Sequence, residues 1–122
     1  MLILLVDDNA KIRHDIKLSL TSDGHEVICA ENGLTAWSLM QKNEFDFVIT
    51  DHIMPIMNGI TLVDNILRAD KLTANKLVVL STKIDAVIKH KLAKYGVALM
   101  SKPVSYNSLK NKLNTEQSLS VA

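Results

Sequence analysis

At 122 residues the chain has the size of one domain and can bury a core without disulfides or structural metal. Hydrophobic content of 48%, charged content of 22% and a net charge of +1 are those of an ordinary globular protein rather than a disordered one. Cys29 is the only cysteine, which excludes an internal disulfide, and no apolar stretch approaches the length of a membrane span.

Leu2 to Val6 are apolar throughout and lead into Asp7-Asp8, which predicts a short strand buried on both faces, as in a parallel sheet. The run lacks a basic leader and a small-residue cleavage site, so it is not a secretory signal, and a cytoplasmic location is expected. Asn9 can cap a helix in which Ile12, Ile16 and Leu20 recur every four residues, and Gly24 can end it. A second strand over 27–30 carries Cys29 as a small core residue. Asn32-Gly33 precedes a second helix striped by Ala36, Trp37, Leu39 and Met40.

The third apolar run, 47–50, ends at Asp51 and is followed by His52-Ile53-Met54-Pro55-Ile56-Met57-Asn58-Gly59. Gly59 opens a third helix with Ile60, Val63, Ile66 and Leu67 on its apolar face. The fourth run, 77–80, ends in Ser81-Thr82. Ile84, Val87, Ile88, Leu92 and Tyr95 mark a fourth helix, closed by Gly96. The fifth run, 97–100, ends in Ser101-Lys102-Pro103, and Tyr106, Leu109 and Leu113 mark a short last helix. Residues 114–122 carry no stripe and are expected to fray. There is no internal repeat. No second domain follows, so the chain is either a single-domain protein or a piece of a longer one.

Strict alternation of short apolar runs with amphipathic helices predicts an α/β fold: a parallel sheet, right-handed crossovers and helices on both faces. In such sheets ligands bind beyond the strand C-termini. Here four strand ends deliver Asp7, Asp8 and Asp51, the hydroxyl of Ser81 and the ammonium of Lys102.

A carboxylate such as Asp51 can attack a phosphoryl group and form an acyl phosphate; the plainer alternative is a helix-capping Asp. Adjacent side chains on a regular strand point to opposite faces, so Asp7 and Asp8 can share one site only just past the strand end. Three neighbouring carboxylates repel one another unless a cation sits among them, and an all-oxygen site that keeps some waters suits Mg²⁺. Either aspartate could instead cap the first helix. Lys102 can neutralise charge developing on phosphoryl oxygens, and Ser81 can donate to one of them, with Thr82 as the competing hydroxyl. His52 is expected to point away from the site as a variable loop residue. His14, His25 and His90 lack metal-ligand spacing, and no Gly-rich loop predicts a nucleotide. Residues 83–112 carry seven lysines against one acid, Asp85; a solvated face accounts for this more simply than an acidic partner.

Asp7-Asp8, Asp51 with Met54-Pro55 and Gly59, Ser81, and Lys102-Pro103 together resemble the receiver domain of two-component response regulators. The resemblance runs from Met1 to about Leu113. It implies a flavodoxin-like (βα)5 fold, a doubly wound five-stranded parallel sheet of order 2-1-3-4-5, with residues 1–113 as the receiver domain. It implies Asp51 as phosphoacceptor, with Lys102 and Ser81 assisting. Asp8, Asp51 and the backbone carbonyl of Ile53 would bind Mg²⁺ directly, and Asp7 through water. It also implies a cis Lys102-Pro103 bond in many members, and Ser81 with Leu99 as switch positions. Two departures stand out: Thr82 where a small alanine is usual, which would narrow access, and Leu99 where an aromatic residue is common. Ile53 and Lys83 occupy the positions that tune the lifetime of the acyl phosphate.

The partner implied is a histidine kinase or histidine phosphotransfer protein, with an unidentified protein downstream. Neither nucleic acid nor membrane is expected to bind this chain directly. The domain would catalyse only its own phosphorylation and dephosphorylation and is not a turnover enzyme. One alternative is the amino-terminal receiver fragment of a DNA-binding response regulator or hybrid kinase. Another is an aspartyl-nucleophile phosphohydrolase of the haloacid dehalogenase kind, which puts a second Asp where this chain has Ile53. A receiver that is never phosphorylated should have lost an acid or the lysine, and all are present.

Overall fold

The structure is a computed structural model and describes the backbone of residues 1–121 and the side chains of residues 1–115. Five strands, β1 (Leu2–Val6), β2 (Glu26–Ala30), β3 (Phe47–Asp51), β4 (Leu77–Ser81) and β5 (Ala98–Ser101), form one parallel sheet of order β2-β1-β3-β4-β5. Helices α1 (Ala10–Ser22), α2 (Gly33–Lys42), α3 (Gly59–Arg68), α4 (Ala86–Tyr95) and α5 (Tyr106–Val121) connect or follow them, and a short 3-10 turn, Ala74–Lys76, precedes β4. This is the expected α/β arrangement, including the strand order.

Alternation along the strands builds two cores. Leu4, Val6, Val48 and Val79 face one side of the sheet and pack with buried side chains of α2, α3 and α4. Ile3, Leu5, Phe47, Ile49, Val78 and Leu80 face the other and pack with Ile16 and Leu20 of α1 and Leu109 and Leu113 of α5. Burying each such aliphatic side chain contributes about 1.5–3 kcal/mol, which is why uniformly apolar strands need helices on both sides.

Asparagines start the first three helices by one device: the Oδ1 of Asn9, Asn32 and Asn58 accepts from the backbone N–H three residues on. Asp85 does the same for α4. Gly24 and Gly96, at φ 89° and 76°, take the left-handed conformation after α1 and α4, where a Cβ would be strained.

Two details of the fourth helical segment differ from the periodicity. Ile84 lies before the helix rather than in it, and Val87 is 62% exposed; Ile88 and Leu92 alone are its fully buried residues. A spacing of four from Ile84 to Ile88 mimics one more helical turn, but the Asp85 cap ends that continuity. In α3 the buried face also includes Leu62. The strands begin or end one residue away from the apolar runs at β2, β3, β4 and β5. Cys29 is half-buried on β2 and packs at the margin of the α1–α5 core, and its burial pushes the thiol pKa up. The tail expected over 114–122 falls mostly outside the described side chains; α5 is traced to Val121.

Candidate functional site

Strand register assembles the site. Val6 pairs with Thr50, so Asp7 and Asp51 follow at the same level on adjacent strands. Asp51 pairs with Leu80, which sets Ser81 one step further out, and Ser81 pairs with Ser101, which sets Lys102 one step further again. The four strand ends therefore form a staircase around one point at the mouth of the sheet.

Lys102 closes this arrangement. Its Nζ lies 2.6 Å from Oδ2 of Asp7 and 3.2 Å from Oδ1 of Asp51, with all three side chains buried. The Lys102-Pro103 peptide bond is cis. Asp7 is further held through Oδ1, which accepts from the backbone N–H of Asn9 at 2.9 Å. Its carbonyl accepts from Nη1 of Arg13 at 2.7 Å, a contact with no signature in the sequence. Asp8 is exposed. One carboxylate oxygen from each of Asp7, Asp8 and Asp51 lies within 4.8 Å of the others.

Burial raises the pKa of Asp51, the negative charge of Asp7 raises it further, and Lys102 opposes both. The pKa of Lys102 rises: burial disfavours its charge, but the hydrogen bond to Asp7 and the charges of Asp51 and Asp7 outweigh that. The donor set fits a hard divalent cation. It is all oxygen, it carries more negative charge than one ammonium balances, and both oxygens of Asp7 are already engaged while Asp8 faces solvent.

Ser81 is buried, and its hydroxyl donates to the backbone carbonyl of Lys83 at 2.7 Å and accepts from the N–H of Lys83 at 3.2 Å. The hydroxyl thus pins the first residues of the β4–α4 loop, while Thr82 is exposed beside it. Ile53, two residues beyond Asp51, is 55% exposed. Leu99 is partly buried on β5, against the core shared with α4.

The glycines of the mouth are packing requirements that spacing alone does not explain. A Cβ on Gly59 would lie 2.5 Å from the carbonyl oxygen of Asp51, and one on Gly33 would lie 2.5 Å from that of Met57. The N–H of Gly59 donates to the carbonyl of His52 at 2.8 Å, which draws the start of α3 against the chain leaving Asp51. His52 is half-buried and lines a groove between α3 and α4, and its buried Nδ1 has no hydrogen-bond partner among the described residues. No described helix is long and apolar enough to cross a membrane.

The family model described as "Response regulator receiver domain" matches residues 3–114. A chemotaxis protein CheY homolog of Campylobacter jejuni is 37% identical over 116 residues, covering 93% of this chain and 89% of the relative. Chemotaxis protein CheY-3 of Vibrio cholerae is 39% identical over 119 residues, with the same two coverages. Among solved structures, the receiver domain of the Francisella response regulator 1452 superposes with a TM-score of 0.84 at 27% identity, covering 93% of each chain. CheY4 of Vibrio cholerae superposes with a TM-score of 0.83 at 28% identity, covering 93% of this chain and 96% of that one.

Proposed function

The chain belongs to the response regulator receiver domain family of two-component signalling, and from that premise we propose that Asp51 is its phosphoacceptor. The observation that carries this reading is Lys102, placed between two buried carboxylates at the strand ends and within 3.2 Å of Asp51.

A phosphohistidine of a histidine kinase or phosphotransfer protein is the donor. A carboxylate oxygen of Asp51 attacks the phosphorus; the new P–O bond forms as the P–N bond to the partner's imidazole breaks, and the electron pair leaves with that nitrogen. Lys102 then exchanges its contact with Asp51 for one with a phosphoryl oxygen and keeps its hydrogen bond to Asp7. The Ser81 hydroxyl turns from the carbonyl of Lys83 to another phosphoryl oxygen. Asp8, Asp51 and the carbonyl of Ile53 would hold Mg²⁺, with Asp7 acting through water. The ion supplies charge neutralisation at the transferred oxygens. Hydrolysis returns Asp51 when water attacks the phosphorus and the P–O bond to the carboxylate breaks, releasing inorganic phosphate. The domain performs these two steps on itself and turns over no separate substrate.

The test is intact mass after incubation with acetyl phosphate and Mg²⁺. One phosphoryl group is expected on the wild type, and none on Asp51→Asn or in the presence of EDTA. Undiminished labelling of Asp51→Asn would place the phosphoacceptor elsewhere.

A further inference from the structure

A groove of about 300 Å³ opens between the N-terminal ends of α3 and α4, beside the phosphoacceptor loop. Its walls carry apolar surface in contact with water: Ile53 is 55% exposed and Val87, in the first turn of α4, is 62% exposed. Covering such surface is favourable. His52 also lines the groove.

The charges around the groove are unbalanced. Lys83 and Lys91 line it, and neither ammonium forms an ion pair among the described residues. Asp85 is the carboxylate on the same wall, and its Oδ1 is engaged by the N–H of Ile88 at 2.9 Å as the cap of α4. At the other end of α4, the hydroxyl of Tyr95 donates to Oδ1 of Asp64 at 2.9 Å and ties the helix to α3. The two helices are therefore joined by a polar contact at the C-terminal end of α4 and separated by the groove at its N-terminal end.

We propose that this groove docks a segment of a partner protein in which an apolar side chain is flanked by carboxylates. The apolar side chain covers Ile53 and Val87, and the carboxylates meet Lys83 and Lys91. Charge complementarity selects this occupant over a basic one, and the apolar wall selects it over a free anion. Its regulation rests on the phosphoacceptor reading. Ile53 and Lys83 stand two residues beyond Asp51 and Ser81, and the Ser81 hydroxyl is bonded to the backbone of Lys83. Turning that hydroxyl toward a phosphoryl group releases Lys83 and reshapes the rim of the groove. Linkage then requires phosphorylation to change the segment's affinity by the same factor as the segment changes the phosphorylation equilibrium.

The test is an NMR titration of the ¹⁵N-labelled full chain with an acetylated peptide of alternating leucine and glutamate, and with its leucine–lysine counterpart. Expected are saturable shifts confined to residues 52–61 and 83–91 with the glutamate peptide, and at least tenfold weaker binding of it by Val87→Glu and by Lys91→Glu. Both substitutions lie on exposed positions outside the phosphoacceptor cluster, so labelling by acetyl phosphate should persist. Equal binding of the two peptides, unchanged affinity in both variants, or shifts on another face would overturn the proposal. Groove shifts that grow with protein concentration alone would overturn it in favour of a second copy of the chain. Glutamate-peptide binding by a chain that acetyl phosphate never labels would support the docking surface while removing the phosphoacceptor reading.

Discussion

Lys102 and Asp7, 95 residues apart in sequence, meet at 2.6 Å in the deepest ion pair of the site. The same ammonium reaches Asp51 at 3.2 Å. One cation thus faces two buried carboxylates, with Asp8 as a third beside them. This excess of negative charge underlies the first two predictions below.

Asp51→Asn should stabilise the fold at neutral pH. Burial and the charge of Asp7 raise the folded pKa of Asp51 above 3.8. An acid shifted that way adds most stability when protonated. This contribution is present below pH 3.8 and is lost as pH rises through the folded value. Urea melts of wild type and Asp51→Asn should therefore differ most near pH 7 and converge as pH falls toward 3.8. A wild type more stable than Asp51→Asn at pH 7 would contradict the argument.

Mg²⁺ should bind the unphosphorylated chain and raise its melting temperature with concentration. Asp8→Ala should weaken this binding more than Asp7→Ala, by about tenfold or 1.4 kcal/mol, because Asp8 faces solvent while both oxygens of Asp7 are engaged. Calorimetric titration of the three proteins decides it, and equal affinities of wild type and Asp8→Ala would sink the ligand assignment.

The acyl phosphate should be long-lived. Ile53 and Lys83 stand two residues beyond Asp51 and Ser81, and the Ile53 side chain has no group that could serve as a base for water. Ile53→Asn should speed hydrolysis roughly threefold, which corresponds to about 0.65 kcal/mol of barrier. Loss of label followed by intact mass gives the rate; a slower decay in Ile53→Asn would refute the obstruction.

The switch should be read out by backbone and helix repacking, with no aromatic ring to turn. Leu99 stands on β5 against the core shared with α4, and Ser81 holds the loop that leads into α4. Hydrogen exchange with and without beryllofluoride should show altered protection over 82–95 and 99–106. Changes confined to the loop after Asp51 would mean that the signal leaves by another face.

Gly59→Ala should destabilise the chain by about 1–3 kcal/mol, the usual range for overpacking, because the added Cβ would lie 2.5 Å from the carbonyl oxygen of Asp51. The midpoint of urea denaturation measures it. An unchanged midpoint would show that the start of α3 can withdraw freely from the phosphoacceptor loop.

Much of this protein is local and so is written in the sequence. Short apolar runs such as Leu2–Val6, too short for a helix, read as doubly buried strands, and the Asn9, Asn32 and Asn58 caps act within three residues of themselves. The acids and the lysine follow those runs directly, so their place at strand ends was legible as well. The strand order came through the family resemblance, because periodicity along a strand carries no information about its neighbour. The remainder was decided by tertiary contacts. Register set Asp51 level with Asp7, and one lysine came to serve both. Backbone crowding, invisible in any spacing, made Gly33 and Gly59 necessary. The exposure of Val87 depends on how α4 sits beside α3, which the packing of both helices on one face of the sheet and the Tyr95–Asp64 contact set together.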